Sequence, residues 1–337
     1  MSGLRLAPQI PGSGMGHRIA TIAWALALMI LALPLGVRAQ VAPRDPGTEW
    51  PAGMREMKER QPDAWTFERA WKNRATEARR QMRDPSLALR GAGGGVMGDF
   101  EVPVFAVTFA NTPVEPWPVA ELEDALFTWG ANSLTDFYSE ISGRRIEVDG
   151  TVRGWHGLPQ DDSWYEGDSA GTNPFNARVG ELIRDTLDRW DGEVDFGLYD
   201  NDGPDGIPNS GDDDGYVDFV AFVHPETGAE CGGGATSIWS HRWRYSAWGA
   251  SGGVPFVTGD TSASGGQILV DDYTIQPALG CDGYSRIEIG VFCHEFGHAF
   301  GLPDLYDTNG GGAGLGHWCL MASGNWNSPD SPAHMSA

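Results

Sequence analysis

The chain has 337 residues and a formal net charge of −23 at pH 7, because 46 acidic side chains outnumber 23 basic ones. A surface this acidic repels phosphate backbones, which argues against a nucleic acid partner. Hydrophobic residues make up 41% of the sequence, and the length suffices for one sizeable core and an additional segment.

Residues 1–39 have the pattern of a secretory signal peptide. Arg5 and Arg18 precede an apolar run at 19–35, and Ala39 closes a short stretch suited to signal cleavage. The apolar run barely reaches the length that spans a bilayer, so a retained membrane anchor is the alternative. We expect cleavage before Gln40, and therefore a secreted, extracellular protein with no stable membrane association.

Residues 40–98 are predicted to form a pro-segment or a permanent N-terminal helical appendage. Within them, apolar residues recur every three or four positions across 63–83, a spacing typical of an amphipathic helix. The glycine-rich stretch 91–98 then predicts a flexible linker and a domain boundary. The composition does not distinguish a removable segment from a permanent one.

Residues 99–337 are predicted to form one mixed α/β (α+β) domain, because segments with strand and helix patterns alternate along them. Strands are predicted at 102–109, 145–152, 216–224 and 268–276, and helices at 121–141, 176–190 and 287–300. The sequence stops at Ala337 in what looks like the start of another helix, so we expect a domain truncated at its C-terminus.

The loop at 195–218 carries a dense group of carboxylates on a background of glycine and proline. Such a group is repulsive unless a cation neutralises it, and hard oxygen ligands on a flexible loop suit Ca²⁺. A structural calcium site is therefore predicted, with a solvated acidic loop as the alternative. The candidate ligands are Asp200, Asp202, Asp212, Asp213 and Asp214.

His294, Glu295 and His298 supply a metal site and its general base within one helical segment. Residues four apart lie on one face of a helix, so the two imidazoles can bind one Zn²⁺. The Glu295 carboxylate follows the first ligand and can reach a water without binding the metal itself.

Gly301 and Asp304 extend this pattern. Glycine permits the left-handed turn that commonly ends a helix, and Pro303 keeps the residue before it extended, so the chain can turn back toward the metal. Asp304 is the predicted third ligand, and three protein ligands leave a fourth position open, as in catalytic zinc sites. Met321 is predicted to lie in a turn beneath the metal.

Four segments resemble the immune inhibitor A family of secreted metallopeptidases: 199–203, 213–218, 294–307 and 314–324. The resemblance implies a metzincin-like zinc protease domain with a mixed twisted sheet, an active-site helix and a Met-turn. It carries zinc binding onto His294, His298 and Asp304, and catalysis onto Glu295. Aspartate stands where metzincins have a third histidine, and Zn²⁺ accepts this oxygen ligand.

The resemblance to metzincins also suggests that 268–276 lies at the sheet edge and holds an extended substrate by strand addition. The expected activity is zinc-dependent hydrolysis of protein or peptide substrates by a secreted enzyme made as a zymogen. A catalytically inactive calcium-binding or adhesion module on the same fold is the alternative, although it would have no chemical reason to keep Glu295. Use of the metal on a non-peptide amide is a third possibility.

The four cysteines of an exported chain favour two disulfide bonds, and the residues alone allow three pairings. A Met-turn folded beneath the metal would bring Cys319 near Cys293, and the family usually has small non-cysteine residues at these positions. The bonds implied by this resemblance are Cys293–Cys319 and Cys231–Cys281.

Other polar residues near aromatic or apolar neighbours have less specific predictions. His224, His241 and His317 are expected to be hydrogen-bonded core residues. Tyr306 and Asp307 lie just beyond the third predicted ligand, where they could orient a ligand or stabilise an oxyanion.

Overall fold

The computed structural model describes residues 42, 50–60, 98–203, 205–232, 234–308, 312–328 and 331–336. The predicted signal peptide, the predicted helix at 63–83 and the linker up to Gly98 lie outside these residues. The described residues belong to one unit, Val37–Ala337. Within them, no helix combines the length and apolar character needed to cross a membrane.

A five-stranded mixed sheet organises the domain. Its strands are β1 (Gly98–Thr108), β2 (Ile146–Gly157), β3 (Val220–Thr227), β4 (His241–Arg244) and β7 (Asp272–Leu279), in the order β2-β1-β3-β7-β4. Strand β4 pairs antiparallel with β7, and the other neighbours are parallel. A second, two-stranded antiparallel sheet joins β5 (Phe256–Thr261) and β6 (Gln267–Val270). The predicted mixed α/β class is confirmed.

Helices cover both faces of the five-stranded sheet. The α-helices of the described residues are α1 (Ala52–Arg60), α2 (Val119–Phe127), α3 (Leu134–Ile141), α4 (Asp162–Glu166), α5 (Val179–Trp190) and α6 (Ile289–Ala299). Successive side chains of a strand point to opposite faces. Val104 of β1 therefore joins a core with α2, α3 and α6, whereas Phe105 joins a second core with α5.

The prediction of a single helix at 121–141 is wrong, because this segment forms two helices, α2 and α3. Between them Gly130 and Asn132 have φ of 76° and 56°, left-handed values that no α-helix accommodates. Ser133 then starts α3 with a capping box, in which its hydroxyl accepts from the Asp136 N–H and the Asp136 carboxylate accepts from the Ser133 N–H.

The strand predicted at 268–276 is also two strands, β6 and β7, in different sheets. Between them the Asp271 carboxylate accepts hydrogen bonds from the backbone N–H and the hydroxyl of Ser246. Nor is this segment the sheet edge, because β4 lies outside β7 and a buried Arg242–Asp272 ion pair joins the two strands. The four-residue strand β4 is too short and too polar to stand out as a strand in the sequence.

Candidate metal centre

Helix α6 carries the metal-ligand motif inside the first core. All of its residues are buried, and Val291, Phe292 and Phe296 belong to that core. Tyr138 of α3 fixes the helix from the side, since its buried hydroxyl donates to the Cys293 carbonyl at 2.5 Å. The sequence pattern does not reveal this anchor, because Tyr138 and Cys293 are 155 residues apart.

The end of α6 reverses the chain as predicted from Gly301. This glycine has a φ of 87°, in the left-handed region where a Cβ is unfavourable. The Leu302 N–H donates to the Gly297 carbonyl at 2.9 Å, which closes a Schellman-type turn. Because of this reversal, Asp304 lies beside the histidines of the helix.

The atoms of His294, His298 and Asp304 that could bind a metal meet at one point. The two Nε2 atoms are 3.0 Å apart. Asp304 Oδ1 lies 3.2 Å from the Nε2 of each histidine. Ligands at zinc distances of about 2.0–2.1 Å in a tetrahedral site are separated by roughly 3.3 Å, so this triangle fits one face of such a site.

The second nitrogen of each histidine fixes the ring for metal binding. The His294 Nδ1 lies 2.8 Å from the Leu320 carbonyl, and the His298 Nδ1 lies 2.8 Å from the Leu302 carbonyl. A carbonyl only accepts, so each Nδ1 carries a proton, and Nε2 is the ring atom that each histidine can offer to a metal. This arrangement is typical of metal-ligating histidines.

The charges of the group favour a cation at its centre. Burial alone would lower the pKa of His294, but Asp304 and Glu295 outweigh it and raise that pKa to about 9. Burial would likewise raise the pKa of Asp304, yet the two histidines hold it below its usual value. A positive charge beside Asp304 is therefore stabilised, and a divalent metal would supply it in place of a proton.

Glu295 is also fully buried, in the turn of α6 between the two histidines. Its negative charge is one of the effects that raise the pKa of His294. The Glu295 carboxylate follows the predicted ligand His294 in sequence and lies outside the group of three ligand atoms.

Met321 lies against α6 in a close contact with Gly297. Met321 is buried, and a Cβ on Gly297 would lie 2.7 Å from its sulfur. The Leu305 N–H donates to the Met321 carbonyl at 2.7 Å, so the Met321 segment also holds the return from Asp304. The predicted turn therefore contacts both α6 and the segment that follows Asp304.

We expect Gly297→Ala to lower the free energy of unfolding by about 1–3 kcal/mol, because the added methyl overlaps the Met321 sulfur. Thermal unfolding measured by circular dichroism checks the effect. Gly192→Ala is the matched control, since a Cβ there meets nothing within 4 Å. Equal melting temperatures for the two variants would contradict the role assigned to this contact.

The acidic loop places part of the predicted calcium set together. Asp200, Asp202 and Asp213 are buried, and one carboxylate oxygen of each lies within 4.8 Å of the others. Asp200 Oδ1 is buried without a hydrogen-bond partner, and burial and then neighbouring acids raise the pKa of Asp200 to about 8. Asp212 and Asp214 lie outside this group, and they accept hydrogen bonds from the Asp205 and Tyr216 N–H groups.

Of the two predicted disulfide bonds, Cys231–Cys281 is present and Cys293–Cys319 is wrong. Cys293 and Cys319 are buried free thiols. The segment around Cys319 contacts the His294 side of α6, through the Leu320 carbonyl. Both thiols lie in the first core, and Cys319 Sγ accepts a hydrogen bond from the Ser336 N–H at 3.4 Å.

The other histidines divide into core and surface positions. His241 is a hydrogen-bonded core residue, with Nε2 at 2.9 Å from the Tyr273 hydroxyl. His224 is fully buried beside Phe109, and burial lowers its pKa to about 3. The core prediction for His317 is wrong, because this residue is exposed in a short 3-10 turn.

An N-terminal contact beside the metal group was not predicted. The Trp50 ring is 5% exposed and lies 4.6 Å from the Trp239 ring and 6.3 Å from the Tyr306 ring. Tyr306 follows the predicted ligand Asp304 by two residues. The segment before the glycine-rich linker is therefore packed against the chain that returns from the metal group.

Comparison with known proteins indicates the family of this chain. The sequence profile described as immune inhibitor A peptidase M6, catalytic domain, matches residues 125–336. The pre-pro-metalloprotease PrtV of Vibrio cholerae serotype O1 is 35% identical over 209 residues, which cover 58% of this chain and 21% of the relative. Immune inhibitor A of Bacillus thuringiensis subsp. alesti is 35% identical over 212 residues, covering 58% of this chain and 28% of the relative. The matched regions thus span well under half the length of these relatives.

Proposed function

Because this chain belongs to the immune inhibitor A peptidase family, we propose that it is a zinc-dependent endopeptidase acting on protein or peptide substrates. The observation that carries the proposal is the convergence of three ligand atoms, from His294, His298 and Asp304, beside the buried Glu295. Two neutral nitrogens and one carboxylate oxygen are a donor set that suits zinc and leaves one position for water or substrate.

The residues have distinct roles in the proposed hydrolysis. When bound, zinc would polarise the scissile carbonyl and lower the pKa of a water molecule. Glu295 takes the proton from the attacking water and delivers it to the leaving amine, so one side chain serves as base and then as acid. His294, His298 and Asp304 hold the metal, and the Leu320 and Leu302 carbonyls hold the histidine rings in place.

The test is digestion of an unfolded protein by the purified chain, with and without a zinc-selective chelator, followed by sequencing of the fragments. We expect internal cleavage that the chelator stops and added zinc restores. Full cleavage in the presence of chelator would refute the metal dependence. Binding of peptides without cleavage would favour the inactive module, and cleavage confined to non-peptide amides would favour an amidase.

We further propose that residues 1–39 are a signal peptide, that the enzyme is secreted, and that residues 40–98 are a pro-segment preceding the catalytic domain at 99–337. The packing of Trp50 against Trp239 and Tyr306 supports a pro-segment role, because these contacts lie beside the metal group. The Asn173 amide also donates to the Gly53 carbonyl at 3.1 Å, and the Trp326 indole donates to the Ala42 carbonyl at 2.9 Å.

Trp50→Ala is expected to accelerate removal of the pro-segment by limited proteolysis and to raise activity before removal. The reason is that the variant loses a buried ring, a change that typically costs about 3–5 kcal/mol of packing. Time courses of cleavage and activity measure the effect. Glu59→Ala is the control, as Glu59 is an exposed residue of the same helix α1. If both variants are processed at the rate of the parent chain, Trp50 does not hold a latent state.

We propose that Asp200, Asp202 and Asp213 bind a structural Ca²⁺, which would neutralise their buried charges. With zinc saturating, Asp200→Asn should lose most of the rise in melting temperature that added calcium gives the parent chain, because the ion stabilises only the folded loop. Asp205→Asn serves as the control, since this exposed aspartate lies on the same loop outside the group. A parent melting temperature unchanged by millimolar calcium would favour the solvated-loop alternative.

A further inference from the structure

A second group of carboxylates lies between α4 and the end of β3, outside the metal centre and the acidic loop. Asp162 and Glu166 are four residues apart on α4, and Glu226 is the next-to-last residue of β3. Residues with this spacing share a helix face. One carboxylate oxygen of each of the three side chains lies within 4.8 Å of the others.

In the part of the chain that the structure describes, this group has no positively charged partner. Among the described residues, no lysine, arginine or histidine forms an ion pair with Asp162, Glu166 or Glu226. Glu166 is 3% exposed, and its Oε1 atom is buried without a hydrogen-bond partner. A buried carboxylate oxygen in this condition is costly unless a proton shared within the group or a ligand outside the chain satisfies it.

Burial and neighbouring acids raise the pKa values of Glu166 and Glu226. Burial and then the charge of Asp162 raise the pKa of Glu166 to about 7. Burial and then the interaction with Asp162 raise the pKa of Glu226 to about 8. The group therefore relieves its repulsion either by sharing protons or by binding a positive ion.

We propose that Asp162, Glu166 and Glu226 form a divalent cation site that takes Ca²⁺. Three carboxylates are hard oxygen ligands, and their irregular placement suits the flexible coordination of calcium better than the strict octahedron of magnesium. Asp162 and Glu226 are half-buried, so water can complete the coordination.

The site would join two segments that support the loop beside the metal centre. Just after α4, the Ala170 carbonyl accepts from the Trp239 N–H at 2.9 Å. Just after Glu226, the Ala229 N–H donates to the Ile238 carbonyl at 3.2 Å, next to Cys231 with its disulfide bond. A cation bound between α4 and β3 would therefore stabilise the two segments that hydrogen-bond to Ile238 and Trp239.

Calcium binding to the full chain, measured by isothermal titration with zinc saturating, tests the proposal. We expect Glu166→Gln and Glu226→Gln each to bind one fewer calcium ion than the parent chain, and to lose part of the calcium-dependent rise in melting temperature. Glu226 is half-buried, so its substitution remains informative if Glu166→Gln does not fold. Asp161→Asn is the matched control, because it removes an adjacent exposed charge outside the group.

The two calcium proposals are separated by Asp200→Asn, which should leave binding at the α4–β3 group intact. Equal calcium stoichiometry in the parent chain, Glu166→Gln and Glu226→Gln would overturn the site. So would an equal calcium-dependent rise in melting temperature for the parent chain and Glu226→Gln, because an intact calcium site cannot lose a ligand without losing part of that rise.

Discussion

Glu295→Gln is expected to reduce peptide hydrolysis by at least about 10²–10⁴-fold while the protein keeps its zinc. Glutamine preserves the volume of this fully buried side chain but cannot accept the proton of the attacking water. Initial rates on an unfolded protein substrate and zinc content by atomic absorption, measured on the same preparation, provide the comparison.

Glu140→Gln is the control for this variant, because it removes the same charge from an exposed position on α3. It should have the activity of the parent chain. If Glu295→Gln retained a rate near that of the parent, the assignment of the general base would be wrong. If it lost both activity and zinc, Glu295 would instead belong to the metal-binding group.

Asp304→Asn is expected to lose zinc and, with it, nearly all activity. The substitution keeps the size of the side chain but removes the charge that lies 3.2 Å from the Nε2 atoms of His294 and His298. Zinc retained after dialysis against a weak chelator measures the loss, and circular dichroism shows whether the fold persists.

Asp282→Asn provides the matched charge change, in an exposed turn after β7. Its zinc content should equal that of the parent. Stoichiometric zinc in Asp304→Asn, with activity retained, would remove Asp304 from the ligand set. An unfolded Asp304→Asn chain would show that Asp304 is required for the fold, and His298→Ala would then test the metal group.

The parts of the fold that the sequence predicts are those in which local pattern and tertiary position agree. The apolar run along β1 follows from a strand buried on both faces, and α6 and Gly301 follow from the spacing of the ligand motif and the left-handed turn. The three predicted ligands come together for the same reason. His298 and Asp304 follow His294 by four and ten residues, so α6 and the turn after it bring all three side chains close together.

One error overlooked local signals, because Gly130, Asn132 and the N-cap Ser133 lie inside the predicted helix and the turn at Gly130 and Asn132 divides it. The other errors occur where distant contacts decide. The division between β6 and β7 depends on Ser246, which lies 25 residues before Asp271. The Cys293–Cys319 prediction assumed that two neighbouring segments would bring their cysteines together. A disulfide bond also requires a specific distance and orientation of the two side chains.

Alkylation of the two unpaired cysteines can report how often the core around the metal centre opens. Cys293 and Cys319 are fully buried, and burial raises the pKa of the Cys293 thiol well above its usual value. A thiol reagent reaches them only when the core beneath α6 opens, and the other two cysteines are already bonded to each other. The alkylation rate therefore measures how tightly the ligand helix is held, without any introduced label.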